Sequence, residues 1–231
     1  IYMGFMISES GIANDLYKMF HVLFGGLKGG LAIGTMFMMV AISAMNGLSV
    51  AGMAIGATIA LPEMLKRNYD KRMITGVVQA GSSLGILIPP SVVMVLYGMI
   101  ARQPVSKLWM AGILPGLLMA SLFLIYIYVR CKLQPELGPP LKKSERNYST
   151  VEKIKLLKAG IIPFVIFFFM TGLFLMGIAS LVECSAVGAF LATLASIYKR
   201  RFNRKILETA LRKTLGVSCM FMWIILAALC F

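Results

Sequence analysis

Residues 29–62 form a run of thirty-four positions without one charged side chain. A single helix of that length would extend about 50 Å, well beyond a hydrocarbon core of about 30 Å. Two complete crossings would need about forty residues, more than the run supplies. A re-entrant hairpin fits, with two limbs of roughly sixteen residues, each about 24 Å long, that enter and leave by the same face. Its turn falls in Ser43-Ala44-Met45-Asn46-Gly47-Leu48-Ser49, where small and polar residues favour chain reversal. The tip is expected at Asn46-Gly47.

Two further blocks, residues 73–101 and 160–182, are equally apolar for most of their length. The whole chain is 59% hydrophobic and 14% charged, against about 25% charged in an average soluble domain. A water-soluble fold is excluded, and the class is all-α, a polytopic helical membrane protein. In the block 73–101, Pro89-Pro90 removes two backbone donors after a Gly81-Ser82-Ser83-Leu84-Gly85 stretch read as flexible, so a discontinuous helix is expected. Residues 108–129 read as an ordinary span, with Trp109 at one interface and Tyr126 and Tyr128 at the other. Residues 157–177 and 184–198 read as two more helices joined by a turn around Ser180 and Glu183, and a last helix is expected from about Thr214. Residues 8–24 alternate polar and apolar positions at helical spacing, which predicts an amphipathic helix lying flat on the membrane surface.

The formal net charge is +14, and where the charges lie decides what they do. Nineteen of the 23 Lys and Arg residues fall within residues 66–72, 130–158 and 199–213, the gaps between apolar blocks. That is the positive-inside pattern of cytoplasmic loops, not a nucleic-acid footprint. Counting the spans between them puts all three basic segments on one side of the bilayer. Cys131, Cys184, Cys219 and Cys230 have no metal-ligand spacing and read as small hydrophobes. The one histidine, His21, is placed on the surface, and with few buried acids the chain offers no nucleophile and base for an enzyme. Neither end carries a flanking loop or leader, so both are expected to be cut through helices. The chain divides into residues 1–28 (a helix end and the amphipathic helix), 29–129 (hairpin, discontinuous helix and following span), 130–158 (a basic cytoplasmic linker) and 159–231 (an incomplete second part).

Backbone groups left unpaired inside a bilayer cost several kcal/mol each, so an opened helix must line a cavity or be buried in protein. The hairpin tip and the Pro89-Pro90 break offer freed carbonyls and hydroxyls, hard ligands suited to a dehydrated alkali cation, and half-helix N-termini suited to an anion. The blander alternatives are a packing kink at Pro89-Pro90, helix packing by Ser43, Ser49, Ser82 and Ser83, and helix capping by Glu183.

Ala60-Leu61-Pro62-Glu63-Met64, Asn68-Tyr69-Asp70, the run from Ala80 through Pro89-Pro90-Ser91, Tyr97-Gly98 and Ala111-Gly112-Ile113-Leu114-Pro115-Gly116 together resemble the large membrane subunit of tripartite ATP-independent periplasmic (TRAP) transporters. The likeness covers residues 29–118, and Gly177-Ile178-Ala179 with residues 183–189 looks like the start of that family's second repeat. The resemblance implies an elevator-type transport domain of two inverted repeats, incomplete here, each with a re-entrant hairpin and a discontinuous helix. By position, Asn46, Gly47, Leu48 and Ser49 would form the hairpin tip and Ser83, Gly85, Pro89 and Ser91 the opened helix of a sodium and substrate site. The family's tip is commonly Ser-Gly-Ser-Ser, so Leu48 here can contribute backbone only. The resemblance further implies sodium-driven import of a small carboxylate, a C4-dicarboxylate or sialic-acid-like acid, across the bacterial inner membrane. Implied partners are a periplasmic substrate-binding protein and a small membrane subunit. The alternatives are another elevator-type anion or citrate carrier and a non-transporting membrane scaffold.

Overall fold

The computed structural model describes residues 1–47, 49–140 and 150–230. Ten helices follow in order among the described residues: α1 Tyr2–Glu9, α2 Ile12–Phe24, α3 Gly30–Asn46, α4 Ser49–Lys66, α5 Lys71–Leu87, α6 Val92–Ile100, α7 Val105–Leu133, α8 Thr150–Leu175, α9 Leu181–Tyr198 and α10 Arg204–Leu229. The all-α polytopic class is thus the observed one. Val105–Leu133, Leu181–Tyr198 and Arg204–Ala227 are each long and apolar enough to cross a bilayer, and α5 with α6 makes a fourth candidate bent by 40°.

The hairpin is α3 and α4, and its base is held by the polar ends of neighbouring segments. Gly29 N–H donates to the Gly138 carbonyl at 2.8 Å, and Asp70 N–H to the Leu137 carbonyl at 3.2 Å. The second bond ties the first basic segment to the second, and the first ties the start of the hairpin to the second. The buried phenol of Tyr69 accepts from Leu31 N–H at 3.3 Å, which satisfies one of the unpaired amides at the start of α3. Burial, chiefly, pushes this phenol up to about 12, so it stays protonated.

α3 is the centre of the first half, enclosed by α2, α4, α5 and α7. Met36, Met38, Met39 and Ile42 along it are 2% exposed or less. Side chains this large leave room for neighbouring backbones only where those present glycine. A Cβ on Gly56 of α4 would lie 2.7 Å from Met39 Sδ, and one on Gly81 of α5 would lie 2.5 Å from Met39 Cβ. On its other flank α3 meets α2, and α2 in turn meets α8, through aromatic rings: Phe24 and Phe37 stack at 4.9 Å, and Phe20 meets Phe164 edge to face at 6.3 Å.

Several boundaries differ from expectation. The amphipathic helix starts at Ile12 rather than Ser8, because Gly11 takes a left-handed conformation (φ 71°) that ends α1. Its apolar face, Leu16, Met19 and Phe20, is covered by protein. The ends of α2 touch two basic segments: the Gly11 carbonyl accepts from Arg201 at 3.0 Å, and the turn after Phe24 leads to Gly29 and its bond to Gly138. The linker is shorter than 130–158. α7 runs on to Leu133, a 3-10 turn spans Pro135–Leu137, and α8 begins at Thr150, because Val-Glu-Lys-Ile-Lys-Leu-Leu-Lys is a helix-forming sequence despite its charge. Residues 141–149 lie outside the described residues. α10 likewise starts at Arg204, ten residues before Thr214; its basic residues occupy the first turns of a helix, not a loop.

Two side chains were misplaced by the sequence reading. His21 is buried, 7% exposed, with its ring edge-on to Tyr17 at 6.0 Å. Trp109, expected at the lipid interface, is 3% exposed and packs 4.7 Å from Phe174 of α8. Trp109 points inward because α8 covers a face that a single apolar stretch leaves undetermined. Tyr126 and Tyr128 are exposed as expected.

Candidate functional site

The unwound segment begins where α5 loses its donors. Ile88 N–H still bonds the Leu84 carbonyl at 2.8 Å, but Pro89 and Pro90 have no N–H, so the carbonyls of Gly85 and Ile86 have no donor from the next turn. The Pro89–Pro90 bond is cis. Ser91, 1% exposed, then restarts the chain as α6: it is extended (φ −109°, ψ 124°) and its hydroxyl accepts from Met94 N–H at 3.3 Å, the geometry of an N-cap.

The hairpin tip meets this segment directly. Gly47 closes α3 in a left-handed conformation (φ 65°) with its N–H on the Ser43 carbonyl at 2.8 Å, and its own carbonyl accepts from Val92 N–H at 3.1 Å. A Cβ at this position would lie 2.6 Å from the Pro90 carbonyl oxygen and 2.9 Å from the Val92 nitrogen. Only glycine satisfies both the dihedral angle and the contact.

α7 fixes how deep this junction lies. A Cβ on Gly112 would reach the Leu87 carbonyl oxygen at 2.6 Å, and one on Gly116 would reach Ile88 Cγ1 at 2.8 Å, whereas the hairpin base touches Cys131. Between those levels lie roughly 25 Å of α7 at 1.5 Å per residue. Measured the other way, Lys107 is only about 10 Å from the break. Tip and break therefore sit beyond the centre of a core about 30 Å thick, reached from the basic end.

Of the positions singled out by sequence, the structure brings Gly47 onto the stretch from Pro90 to Val92 that holds Ser91, with Pro89 just before it in the chain. Gly85 lies one layer back, inside the regular part of α5, where a Cβ would be 2.7 Å from Ser43 Cβ. Ser83 also lies within regular α5 and its hydroxyl donates to its own helix, at the Ala80 carbonyl, 2.8 Å away. The stretch from Gly81 to Gly85, read as flexible, is therefore ordinary helix whose glycines serve close packing. Asn46 ends α3 and Ser49, half-buried, begins α4; Leu48 lies outside the described residues. Ser43 was read as a packing residue and is one: its hydroxyl donates to the Gly81 carbonyl at 3.3 Å. Glu183 is the capping acid of α9, paired reciprocally with Ser180.

What the sequence reading missed is the wall around the junction. Gly112 and Gly116 of α7, and the Gly52/Gly56 and Gly81/Gly85 pairs, all have the small-x-x-x-small spacing of closely packed membrane helices, and that spacing was the available signal. Beside the junction, between Met45, Ser91 and Val92 on one side and Cys184 and Ser185 of α9 on the other, lies a cavity of about 340 Å³. Trp109 lines it, and its buried indole N–H has no hydrogen-bond partner among the described residues. The N-terminus of α6 opens onto this space, and helix N-termini favour anions; that of α9, also beside it, already holds the Glu183 carboxylate.

Residues 1–231 match the family described as tripartite ATP-independent periplasmic transporter, DctM component. The C4-dicarboxylate TRAP transporter large permease protein DctM of Pseudomonas aeruginosa is 34% identical over 131 residues, 57% of this chain and 31% of that protein. The isethionate TRAP transporter permease protein DctMQ of Oleidesulfovibrio alaskensis is 32% identical, over 54% of this chain and 20% of its own length. The 2,3-diketo-L-gulonate TRAP transporter large permease protein YiaN of Escherichia coli is 29% identical over 82% of this chain and 43% of that protein. The chain thus spans less than half the length of the relatives it matches. Through the match over its full extent, the chain belongs to the DctM-component family of tripartite ATP-independent periplasmic transporters.

Proposed function

We propose that this chain is a portion of the membrane subunit, its first repeat and the start of its second, of a sodium-coupled importer of small organic acids in the bacterial inner membrane. In this reading the complete permease works with a small membrane subunit and receives its substrate from a periplasmic binding protein, and its transport domain moves as an elevator. The observation that carries it is the bond from Val92 N–H to the Gly47 carbonyl, which joins two unwound segments far from the basic end, one of them with two helix carbonyls stripped of donors. Such oxygens suit a cation that has shed its water. The adjoining cavity is of small-molecule size, and the N-terminus of α6 on it suits a carboxylate.

The test is sodium-dependent uptake by the complete permease with and without its binding protein, together with sodium titration of the purified subunit. Ser49→Ala and Ser91→Ala are each expected to weaken sodium binding about tenfold, the equivalent of one hydrogen bond to a charged group. Unchanged sodium affinity in both variants removes the cation from this junction, and uptake indifferent to sodium removes the coupling.

A further inference from the structure

A second cavity, about 800 Å³, lies far from the junction, between α5 and α7 at the basic end of the molecule. Its depth is apolar, built from Met36, Val77, Ala80, Phe123 and Ile127, while Arg72, Arg130 and Gln134 stand at its mouth. From Arg72 to Ala80 the groove follows two turns of α5, about 12 Å. Leu122 and Tyr126, on its α7 side, are 54% and 61% exposed. Among the described residues neither guanidinium pairs with a carboxylate. The one acid at the mouth, Asp70, is occupied as the N-cap of α5, accepting from Arg72 N–H at 2.9 Å and Met73 N–H at 3.1 Å.

We propose that this groove holds an anionic phospholipid of the cytoplasmic leaflet, with its phosphate between Arg72 and Arg130 and one acyl chain laid inward along Gly76, Val77 and Phe123. Two features argue for a lipid over a helix of another protein. The polarity of the groove runs along the membrane normal, cationic at headgroup level and apolar below it, which is the polarity of the lipid itself, and basic pockets between helices on this side suit anionic headgroups. And α5 carries a glycine at the position where a side chain would fill the groove: among the described residues a Cβ on Gly76 meets nothing within 4 Å, so none of them requires the missing side chain. This inference does not depend on sodium coupling or on the substrate.

The experiment is native mass spectrometry of the complete permease released from detergent in equal amounts of phosphatidylglycerol and phosphatidylcholine. The unaltered protein is expected to retain phosphatidylglycerol in preference. R72Q/R130Q should reduce that preference about tenfold or more, since each basic group near a membrane surface contributes about 1 kcal/mol. Gly76→Leu, which fills the groove without touching backbone, should lose retention of both lipids, while Gly76→Ala keeps it. Thermal melts of all three variants monitor folding. Equal retention of the two lipids by the unaltered protein, a preference that survives R72Q/R130Q, or full retention in Gly76→Leu overturns the proposal. So does a photo-crosslinker placed at position 76 in cell membranes that captures protein in place of lipid.

Discussion

At Gly47 the dihedral angle and the contact make the same demand, and at Gly76 neither makes any. Gly47→Ala places an L-residue at φ 65° with its Cβ inside contact distance of the Pro90 carbonyl. The left-handed conformation alone costs about 1–2 kcal/mol, so the variant should melt at lower temperature and lose its sodium response together. Gly76→Ala, in open space on a helix, should instead raise stability by up to about 1 kcal/mol through helix propensity. Thermal melting of both variants of the intact permease measures the contrast. The sequence identified Gly47 as a turn but could not distinguish these two kinds of glycine, because what lies against a helical glycine is decided by another helix. The same limit explains Trp109, whose partner Phe174 on α8 is found only after the chain is folded.

The discontinuous helix was legible as an element because two adjacent prolines act locally, through their missing donors, and need no tertiary context. Replacing both with alanine restores those donors. P89A/P90A should let α5 run on toward α6 and abolish sodium-dependent uptake while the protein still inserts into the membrane, as checked by uptake and by surface labelling. Tyr69→Phe tests the other end of the hairpin. Without the phenol oxygen that accepts from Leu31 N–H, the start of α3 should lose about 1 kcal/mol, read as a lower melting temperature with sodium affinity retained. Helix ends were less legible than the break. α8 and α10 both begin inside basic stretches, where a charged sequence with good helix propensity satisfies the membrane rule for a loop and the local rule for a helix at once.

Across the whole molecule, the charge pattern led to the expectation that the basic segments gather at one end, and the bond from Asp70 to Leu137 shows the first two adjacent. A cysteine at Gln103, in the exposed turn before α7, should therefore react with a membrane-impermeant reagent from outside intact cells, and one at Glu136 only after permeabilisation. What no pattern foretold is how the first helices hold on to the last ones. Asp15 of α2 accepts from Lys199 at 2.7 Å and Arg201 at 3.0 Å, and Lys213 of α10 reaches Glu9 of α1 at 2.6 Å, partners nearly two hundred positions apart. Asp15→Asn should destabilise the subunit by about 2 kcal/mol, the scale of a charged hydrogen bond, with substrate and sodium affinities unchanged.

The bond between the elbow of the hairpin and the head of α6 carries one more implication. The Val92 amide has a single proton, and Gly47 already holds it. Whatever docks at the head of α6 must either leave that proton where it is or push the elbow aside to take it, so a visitor there and a seated elbow compete for one and the same atom.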